Sequence, residues 1–414
     1  MKLVLHARRS RQFSIPTKKG DGGRSHDFRR FPNCPHSPRS CPPTASVAAR
    51  LQRRAWAQRT PLRTRPISRA SGNIWITCNV APRLRVPNAY RSVRAVFADV
   101  TADDVRRAAD RLRGIVHRTE LRHASHLSRR AAGDVWLKLE NQQQIGSFKL
   151  RGTYNALASL TPDERSRGVV TASAGNHGRG VAFAAKLLGI QATIFVPRTA
   201  PRVKVDGIRE CGATIDANSA HYDEAHERAI AFAQSQGVTY LDPCVGVPLV
   251  AGHGTVALEI VDQLPELQSV IVPVGGGGLL GGIGAFLRAA RPDVRIIGAQ
   301  SVNTSAMARS LQEGRVVDAP IVPTLADGLA GAIDEHGLDV GRHALDALVT
   351  VEESDIVNAI AFLAREERVI AEGAGAVGAA ALLVGAIDDV PFPTVVVISG
   401  GNIDPDVLER VLSS

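Results

Sequence analysis

The chain is 414 residues long, 44% of them hydrophobic, and its 50 Lys and Arg against 40 Asp and Glu give a net charge of +10. This length allows two or three domains with sizeable cores. No apolar run approaches the roughly 18 residues that a membrane span needs, so we expect no membrane association.

The positive charge is concentrated in the first 95 residues. They hold 21 of the basic and 2 of the acidic side chains, so this tail carries +19 and the remaining chain −9. The tail is rich in Arg, Pro and Ser and lacks the apolar periodicity needed to fold alone. It is compatible with a transit-type targeting peptide, a nucleic-acid-binding arm, or translated upstream sequence before a true start near Val96. We favour the third interpretation, with a disordered appendage as the second.

Only two of the five cysteines, Cys211 and Cys244, lie beyond the tail. Their spacing matches neither a metal site nor a disulfide framework. We therefore expect no metal and a reducing, cytoplasmic location.

The pattern of a folded domain begins near Val100. Thr101 precedes a helical pattern through Leu112, with acidic residues in the first turn, where the helix dipole favours them. Short β-branched runs then alternate with amphipathic stretches, which predicts an α/β fold with parallel sheets covered by helices. The predicted strands are 169–173, 192–196, 238–241, 269–274, 294–299 and 394–399, and the helical stretches are 181–188, 223–234 and 251–264.

Ligands of such folds gather at the carboxyl ends of strands, and four strand ends carry chemically useful residues. The first follows the alternating residues 135–140 and leads to Ser147, Phe148 and Lys149. A lysine beside an aromatic ring and partly withdrawn from water can act as a Schiff-base amine. Taken alone, a lysine is far more often a solvated charge, by roughly ten to one. Its interpretation therefore depends on the residues downstream.

The second strand end opens into the turn 173–178, which reads Ser-Ala-Gly-Asn-His-Gly. Its small residues leave backbone N–H groups free to bind an anion at a helix N-terminus, and a substrate carboxylate would suit it. The turn alone is equally compatible with an ordinary helix start, in which Asn176 and His177 make local hydrogen bonds.

The third strand end runs into the four glycines 275–278. Between a strand and a helix, such a run forms a backbone nest for a phosphate group. Gly276, Gly278 and Gly281 also match the dinucleotide-binding spacing, but that pattern requires an acidic residue about 20 positions on, where this chain has Gln300. A nicotinamide oxidoreductase is therefore the weaker alternative.

The fourth strand end carries Ser399, Gly400, Gly401 and Asn402. In this order, the four motifs together resemble the fold-type II pyridoxal-phosphate enzymes, which are tryptophan synthase β-like in fold. Within them the chain is similar to the catabolic, short form of threonine dehydratase (threonine ammonia-lyase), with serine racemase as a close relative. The similarity runs from about Val100 to the C-terminus.

The resemblance implies two sheet domains and a cofactor, pyridoxal 5'-phosphate. Residues 96–166 and 246–414 would form the large cofactor-binding domain, and 167–245 the small substrate-side domain. Lys149 would form the Schiff base and remove the substrate Cα proton, while Phe148 would pack against the cofactor ring. Five residues would bind the phosphate group: Gly275, Gly276, Gly277, Gly278 and Leu279.

The remaining motif residues also receive roles from the resemblance. Asn176 would bond the phenolic oxygen of the cofactor, and Ser399 would face its pyridine nitrogen. A neutral hydroxyl leaves that nitrogen largely unprotonated, which makes a shallow electron sink and favours expulsion of a β-hydroxyl. Four residues would frame the substrate carboxylate: Ser173, Ala174, Gly175 and His177.

Several positions depart from the relatives in this resemblance. Ala174 stands where serine racemases place a second serine, so racemisation is disfavoured. Gln300 and Ala306 stand where the racemase cation site uses carboxylates, so a metal bound by that route is not expected. Arg179 and His253 replace glutamines; the added cation is either a solvated helix residue or a determinant for a more acidic or larger substrate.

The predicted function is dehydration and deamination of L-threonine, and of L-serine as well, to a 2-oxo acid and ammonia. The alternatives are an ammonia-lyase for another β-hydroxy amino acid, such as hydroxyaspartate or a hydroxyectoine breakdown product, a serine racemase, or a nucleic-acid-associated protein using the tail. We expect a small-molecule substrate, no nucleic-acid partner, and a homodimer or homotetramer.

Overall fold

The computed structural model describes residues 84–85, 99–318 and 322–413, all of which belong to one unit of the chain, Ile76–Ser414. The prediction for the basic tail, residues 1–95, lies outside the described residues, apart from the two residues of strand β1.

Strands and helices alternate along most of the described chain. The strands are β1 (Leu84–Arg85), β2 (Leu121–His123), β3 (Val135–Lys138), β4 (Val169–Ala172), β5 (Ala192–Pro197), β6 (Thr214–Ser219), β7 (Thr239–Tyr240), β8 (Ser269–Pro273), β9 (Arg295–Ser301), β10 (Ala347–Val351) and β11 (Thr394–Val397). The helices are α1 (Ala102–Leu112), α2 (Ser125–Ala131), α3 (Lys149–Ala158), α4 (Pro162–Arg167), α5 (Asn176–Leu188), α6 (Arg202–Arg209), α7 (Tyr222–Gln236), α8 (Val247–Gln263), α9 (Gly278–Ala290), α10 (Ala306–Glu313), α11 (Glu335–Ala344), α12 (Glu353–Arg365), α13 (Gly373–Leu383) and α14 (Pro405–Ser413).

The strands form two sheets. The larger has seven strands in the order β1-β10-β9-β8-β11-β3-β2, and the smaller has four in the order β6-β5-β4-β7. The five central strands of the larger sheet run parallel, whereas β1 and β2 pair antiparallel at its two edges. All pairs in the smaller sheet are parallel. The prediction of an α/β fold with two parallel-type sheets covered by helices is therefore confirmed, and the antiparallel edges are an addition to it.

Helices cover both faces of the larger sheet because its strands are apolar on both sides. Successive side chains of a strand point to opposite faces. In β8, Ile271 packs in one core with α2, α12 and α13, whereas Val270 and Val272 pack in another with α1, α8 and α9. In β11, Val396 packs in the first of these cores and Val395 in the second. Such double burial is typical of parallel strands.

The smaller sheet is covered in the same manner. Val169 of β4 and Ile194 of β5 pack with α3 and α5, while Val170 and Phe195 face α7. Helix α3 thus belongs to the core of the smaller sheet, although its first residue, Lys149, lies near the ends of larger-sheet strands.

The sequence predicted part of these elements, but strands β2, β6 and β10 were not among the predicted strands. Helix α1 has the predicted bounds, and Thr101 caps it: its hydroxyl accepts from Asp104 N–H at 3.2 Å, and the Asp104 carboxylate accepts from Thr101 N–H at 2.9 Å. The six predicted strands correspond to β4, β5, β7, β8, β9 and β11. Strand β6 was missed because its polar residues, including Asp216 and Asn218, have low strand propensity.

Candidate active site

Lys149 is the first residue of α3, and its amine projects toward the loop that follows β7. Its Nζ donates to the Pro243 carbonyl at 2.7 Å and lies 5.2 Å from the centroid of the Phe148 ring. No carboxylate among the described residues lies within ion-pair distance of this amine. Lys149 is therefore held in place by a neutral acceptor and remains available to react.

The strand end after β11 lies directly against the segment that precedes Lys149. Phe148 N–H donates to the Ser399 carbonyl at 3.0 Å, and Ser147 forms a bridge with Gly400. Ser399 itself is buried. The first and fourth sequence motifs are thus hydrogen-bonded neighbours, although some 250 residues separate them.

The Ser-to-Gly turn after β4 leads into the N-terminus of α5. Gly175 N–H donates to the Ser173 hydroxyl at 3.2 Å, and Ala174 is half-buried beside them. The N–H of Arg179 makes the first helical bond, to the Gly175 carbonyl at 3.1 Å. The N–H groups of the first turn before Arg179 therefore have no partner within the helix, and they are suited to bind an anion.

His177 is buried and neutral. Its Nε2–H donates to the Leu241 carbonyl at 3.3 Å, and its Nδ1 has no partner among the described residues. Burial, together with the nearby Lys149 ammonium, lowers the pKa of His177 to about 3. Because Nδ1 carries no proton in this state, the side chain can only accept there. The backbone N–H, not the imidazole, is the group with which His177 could bind a carboxylate.

His253 is also buried and neutral. Its ring packs edge-on against Phe148 with centroids 4.7 Å apart, and neither ring nitrogen has a partner among the described residues. Burial, and then the charge of Lys149, hold the pKa of His253 well below its ordinary value. It therefore adds no cation to the site, and its contact with Phe148 supports that ring.

The four glycines between β8 and α9 form a cradle that larger residues would fill. Gly277 has φ +99°, a left-handed conformation that favours glycine. A Cβ on Gly275 would lie 3.1 Å from the Leu329 Cα, and one on Gly276 would lie 2.6 Å from Cys244 Sγ. Leu279 follows in the first turn of α9 and is buried. Free N–H groups of this helix start and the glycine backbone suit a phosphate.

The loop after β7, residues 241–244, joins the other motifs. Leu241 accepts from His177, Pro243 accepts from Lys149, and the Cys244 sulfur accepts from Gly278 N–H. Burial raises the pKa of the Cys244 thiol, so the thiol adds no negative charge to the glycine cradle. This β7 loop was not found from the sequence, since it contains no signal beyond a single cysteine.

Asn176 is held from both sides. Its Nδ2 donates to Glu372 Oε1 at 2.7 Å, and its Oδ1 accepts from Asn402 Nδ2 at 2.7 Å. Glu372, in the sequence Glu-Gly-Ala-Gly-Ala before α13, is 8% exposed, and burial raises its pKa to about 7, with the Asp327 carboxylate adding to the effect. Sequence reasoning gave neither Glu372 nor Asn402 a role.

A buried ion network supports α3 behind the site. Arg151 is fully buried, donating to Glu140 at 2.8 Å through two nitrogens and to Glu259 at 2.7 and 2.9 Å. Lys138 donates to the same Glu259 at 2.6 Å. Burial alone would lower the pKa of Arg151, but the two carboxylates raise it. Two cations and two anions thus fix the helix that begins with Lys149.

Gln300, the residue that weakened the dinucleotide interpretation, has a structural role. Its Nε2 donates to the Val274 and Thr304 carbonyls at 3.0 and 2.9 Å, and its Oε1 accepts from Ala308 N–H.

The described residues include no group of three or more His, Cys, Asp or Glu suited to a metal ion. In the same part of the chain, no helix has the length and apolar character to cross a membrane.

Comparison with known proteins gives concordant matches. The family described as "Pyridoxal-phosphate dependent enzyme" matches residues 112–400. The L-threonine ammonia-lyase of Thermotoga maritima is 42% identical over 317 residues, which cover 76% of this chain and 78% of the relative. The catabolic L-threonine dehydratase of Escherichia coli K12 is 37% identical over 310 residues, covering 74% of this chain and 94% of that protein.

A solved structure of maize serine racemase is also similar. It superposes with a TM-score of 0.72 at 31% sequence identity and covers 76% of this chain and 97% of its own. Fold and sequence therefore agree on one family, whose members include both threonine ammonia-lyases and a serine racemase.

Proposed function

The chain belongs to the pyridoxal-phosphate dependent enzymes, and we propose that it dehydrates and deaminates L-threonine, and L-serine as well, to a 2-oxo acid and ammonia. The observation that carries this proposal is the position of Lys149. Its amine bonds to a neutral carbonyl and lies beside the anion-binding turn and, through the β7 loop, the glycine cradle.

The residues present fit pyridoxal 5'-phosphate. The cradle at Gly275 and Gly276 has no room for a Cβ, which is the arrangement that a tightly held phosphate requires. Phe148 and Ser399 lie next to Lys149 on the same backbone bridge. We assign the phosphate to residues 275–279, the phenolic oxygen to Asn176 and the pyridine nitrogen to Ser399.

The protein's own contribution is positioning and proton transfer. When bound, the cofactor supplies the electron sink for the electrons left at the substrate Cα. The free N–H groups of the turn 173–177 bind the substrate carboxylate and so orient the Cα–H bond. Lys149 Nζ removes the Cα proton, and Pro243 holds this amine in reach. Ser399 would give the pyridine nitrogen a neutral partner, and a neutral partner would make the sink shallow and favour loss of the β-hydroxyl.

The identities of the relatives favour the lyase over the racemase. The relatives at 42% and 37% sequence identity are an L-threonine ammonia-lyase and an L-threonine dehydratase. Ala174 also provides no hydroxyl on the turn that would donate a proton to the opposite face of Cα. The test below distinguishes the proposed activity from serine racemisation and from the deamination of other β-hydroxy amino acids.

We further propose the division into a cofactor-binding domain, residues 96–166 and 246–414, and a substrate-side domain, residues 167–245. The four-stranded sheet, with all its strands between residues 169 and 240, supports the second range. Helix α3 lies in the first range of the sequence, although it packs in the core of the smaller sheet. We also propose a cytoplasmic homodimer or homotetramer, and the two unpaired cysteines of the described chain, Cys211 and Cys244, agree with a reducing compartment.

The test is release of 2-oxo acid by the purified protein supplied with pyridoxal phosphate. The substrates are L-threonine, L-serine, D-serine and threo-3-hydroxyaspartate, and chiral chromatography of remaining serine measures racemisation. We expect the highest kcat/KM for L-threonine. Preference for hydroxyaspartate, or formation of D-serine faster than pyruvate, would replace the proposed activity with one of the alternatives.

A further inference from the structure

A chain of side-chain hydrogen bonds runs from Arg179 to Glu372 across the candidate site. Arg179 Nη1 donates to Asn402 Oδ1 at 3.1 Å, Asn402 Nδ2 donates to Asn176 Oδ1 at 2.7 Å, and Asn176 Nδ2 donates to Glu372 Oε1 at 2.7 Å. Asn402 Nδ2 also donates to the Ile145 carbonyl at 2.8 Å. We call these four side chains the amide relay.

Every bond of the amide relay points in the same direction, from a cation to a carboxyl group. An amide side chain has an NH2 group that donates and an oxygen that accepts. It can turn by 180° and exchange the two, unless a neighbour that only donates or only accepts fixes its orientation. Arg179 has only donors, so Asn402 must turn its oxygen toward the guanidinium. Asn402 then offers N–H to Asn176, and this sets the direction of the second amide. Such chains also polarise one another cooperatively.

The environment of Arg179 fits this internal role. The side chain is half-buried, and helix α6 covers it: a Cβ on Gly207 would lie 3.7 Å from the guanidinium carbon. Among the described residues no carboxylate lies within ion-pair distance of Arg179. Its charge is therefore directed at a neutral amide oxygen, which gives a charge-assisted bond.

The other end of the amide relay is enclosed as well. Glu372 is buried and faces Asp327, which forms an ion pair with Lys204. Asn176 Nδ2 carries two hydrogens, of which Glu372 takes one, and the described residues offer no second acceptor. The remaining N–H is available to a ligand in the site.

We propose that Arg179 is a positioning residue, which acts through Asn402 to hold the Asn176 amide with its free N–H directed at the phenolic oxygen of the cofactor. This inference rests on the cofactor placement in the proposed function. The proposed role differs from both interpretations offered by the sequence, which were a solvated helix residue and a determinant of substrate choice. In the proposed role the guanidinium binds Asn402 instead of solvent or substrate.

The test compares cofactor binding by four apoenzymes: wild type, Arg179→Met, Arg179→Gln and Lys186→Met. Arg179→Met removes the donor, whereas Arg179→Gln keeps an N–H donor without the charge. Lys186 lies on the same helix α5, outside the amide relay, and its substitution is the matched control for a lost charge. We expect Arg179→Met to weaken pyridoxal phosphate binding about twofold to tenfold, the range of one hydrogen bond. Arg179→Gln should recover most of this loss, and Lys186→Met should match wild type.

A cofactor analogue separates positioning from general damage to the fold. 3-Deoxypyridoxal phosphate lacks the phenolic oxygen, so wild type and Arg179→Met should bind it equally. Asn402→Asp provides a second variant: it keeps an acceptor for Arg179 but has no N–H for Asn176, and it should weaken binding of pyridoxal phosphate at least as much as Arg179→Met.

Two results would overturn the inference. One is equal affinity of wild type and Arg179→Met for pyridoxal phosphate, and the other is an equal loss of affinity for the 3-deoxy analogue. Failure of the proposed function is a separate observation, because a wild-type protein that binds pyridoxal phosphate without releasing 2-oxo acid still permits the affinity comparison.

Discussion

At the scale of one residue, the contacts of Lys149 support its proposed role as the reactive amine. The amine is anchored by the Pro243 carbonyl and packs beside Phe148, with no anion of the described chain bonded to it. A lysine paired with a carboxylate would have to break that pair before it could react. The neutral acceptor keeps the amine oriented at a lower cost.

Lys149→Ala should abolish both visible absorbance of bound pyridoxal phosphate and 2-oxo acid release, because the proposed base and attachment point are one amine. Absorbance spectroscopy and a keto-acid assay measure the two effects. Lys186→Ala on the exposed face of α5 serves as the control. Turnover by Lys149→Ala near the wild-type rate would contradict the assignment.

Gly276 is the position where the cradle has the least room. In Gly276→Ala the new Cβ would meet Cys244 Sγ at 2.6 Å, so the loop must shift and the phosphate should bind more weakly. Adding Cys244→Ala removes the sulfur and leaves Cys244 Cβ as the nearest atom, 3.4 Å away. We therefore expect the double variant to regain part of the affinity, measured by titrating apoenzyme with pyridoxal phosphate. An unchanged affinity in Gly276→Ala would count against the cradle.

Glu372 should make stability depend on pH. Burial raises its pKa from 4.5 to about 7, so the buried group is tolerated when protonated and costly when charged. Its favourable contribution is fully present below pH 4.5 and is lost as pH rises through about 7, a loss on the order of 3 kcal/mol. Glu372→Gln cannot ionise and should lose less stability between pH 5 and pH 8 in denaturant unfolding. The exposed Glu313→Gln is the control, and equal pH dependence in all three proteins would refute the expectation.

At the scale of secondary-structure elements, helix α3 connects two functions. Its first residue is Lys149, the proposed reactive lysine, and two residues later Arg151 enters the buried ion network with Glu140, Glu259 and Lys138. The network lies in the layer behind the site, so the N-terminus of α3 cannot shift without separating buried charges.

Arg151→Met should therefore destabilise the protein strongly, by about 3–5 kcal/mol, because it leaves two buried carboxylates with one lysine. Chemical denaturation monitored by circular dichroism measures this. Arg113→Met is the matched control: the Arg113 side chain is 79% exposed in its pair with Asp110, and its removal should cost less than about 1 kcal/mol. Similar losses in the two variants would show that the network contributes little.

At the scale of the whole molecule, the candidate site draws on both sheets. The glycine cradle and Ser399 follow strands β8 and β11 of the larger sheet, whereas the anion-binding turn and the β7 loop follow β4 and β7 of the smaller sheet. Carboxyl ends of parallel strands are the usual place for ligands in α/β folds. In the proposed site the two sheets contribute different parts: the larger supplies the glycine cradle for the phosphate, and the smaller supplies the turn for the substrate carboxylate.

All residues of the proposed site lie between 148 and 402, so the basic tail should be dispensable for activity. We expect a protein lacking residues 1–95 to keep wild-type kcat/KM for L-threonine. A shorter deletion of residues 1–82 retains β1, the edge strand that pairs with β10, and it separates a loss of that pairing from a loss of function. Inactivity of both truncations in folded form would mean that the tail takes part in function.

The sequence alone determined the local features of this protein. Helix α1 and the six recognised strands follow from hydrophobic periodicity and capping, which act within a few residues. The four strand-end motifs likewise lie in short stretches, so the family could be predicted from them, and Lys149 could be proposed as the reactive residue. Periodicity, capping and short motifs can be recognised without knowledge of the fold, because each depends only on residues that are close together in the sequence.

Only the tertiary structure decided which distant residues complete the site. The β7 loop contacts Lys149, His177 and the glycine cradle through two backbone carbonyls and one sulfur, for which sequence patterns give no indication. Arg179 bonds to Asn402, 223 residues away, and thereby acquires a role that its position on α5 alone did not suggest. Backbone carbonyls are present at every residue, and long polar side chains reach in many directions. Their partners are fixed only when packed sheets bring separate strand ends together.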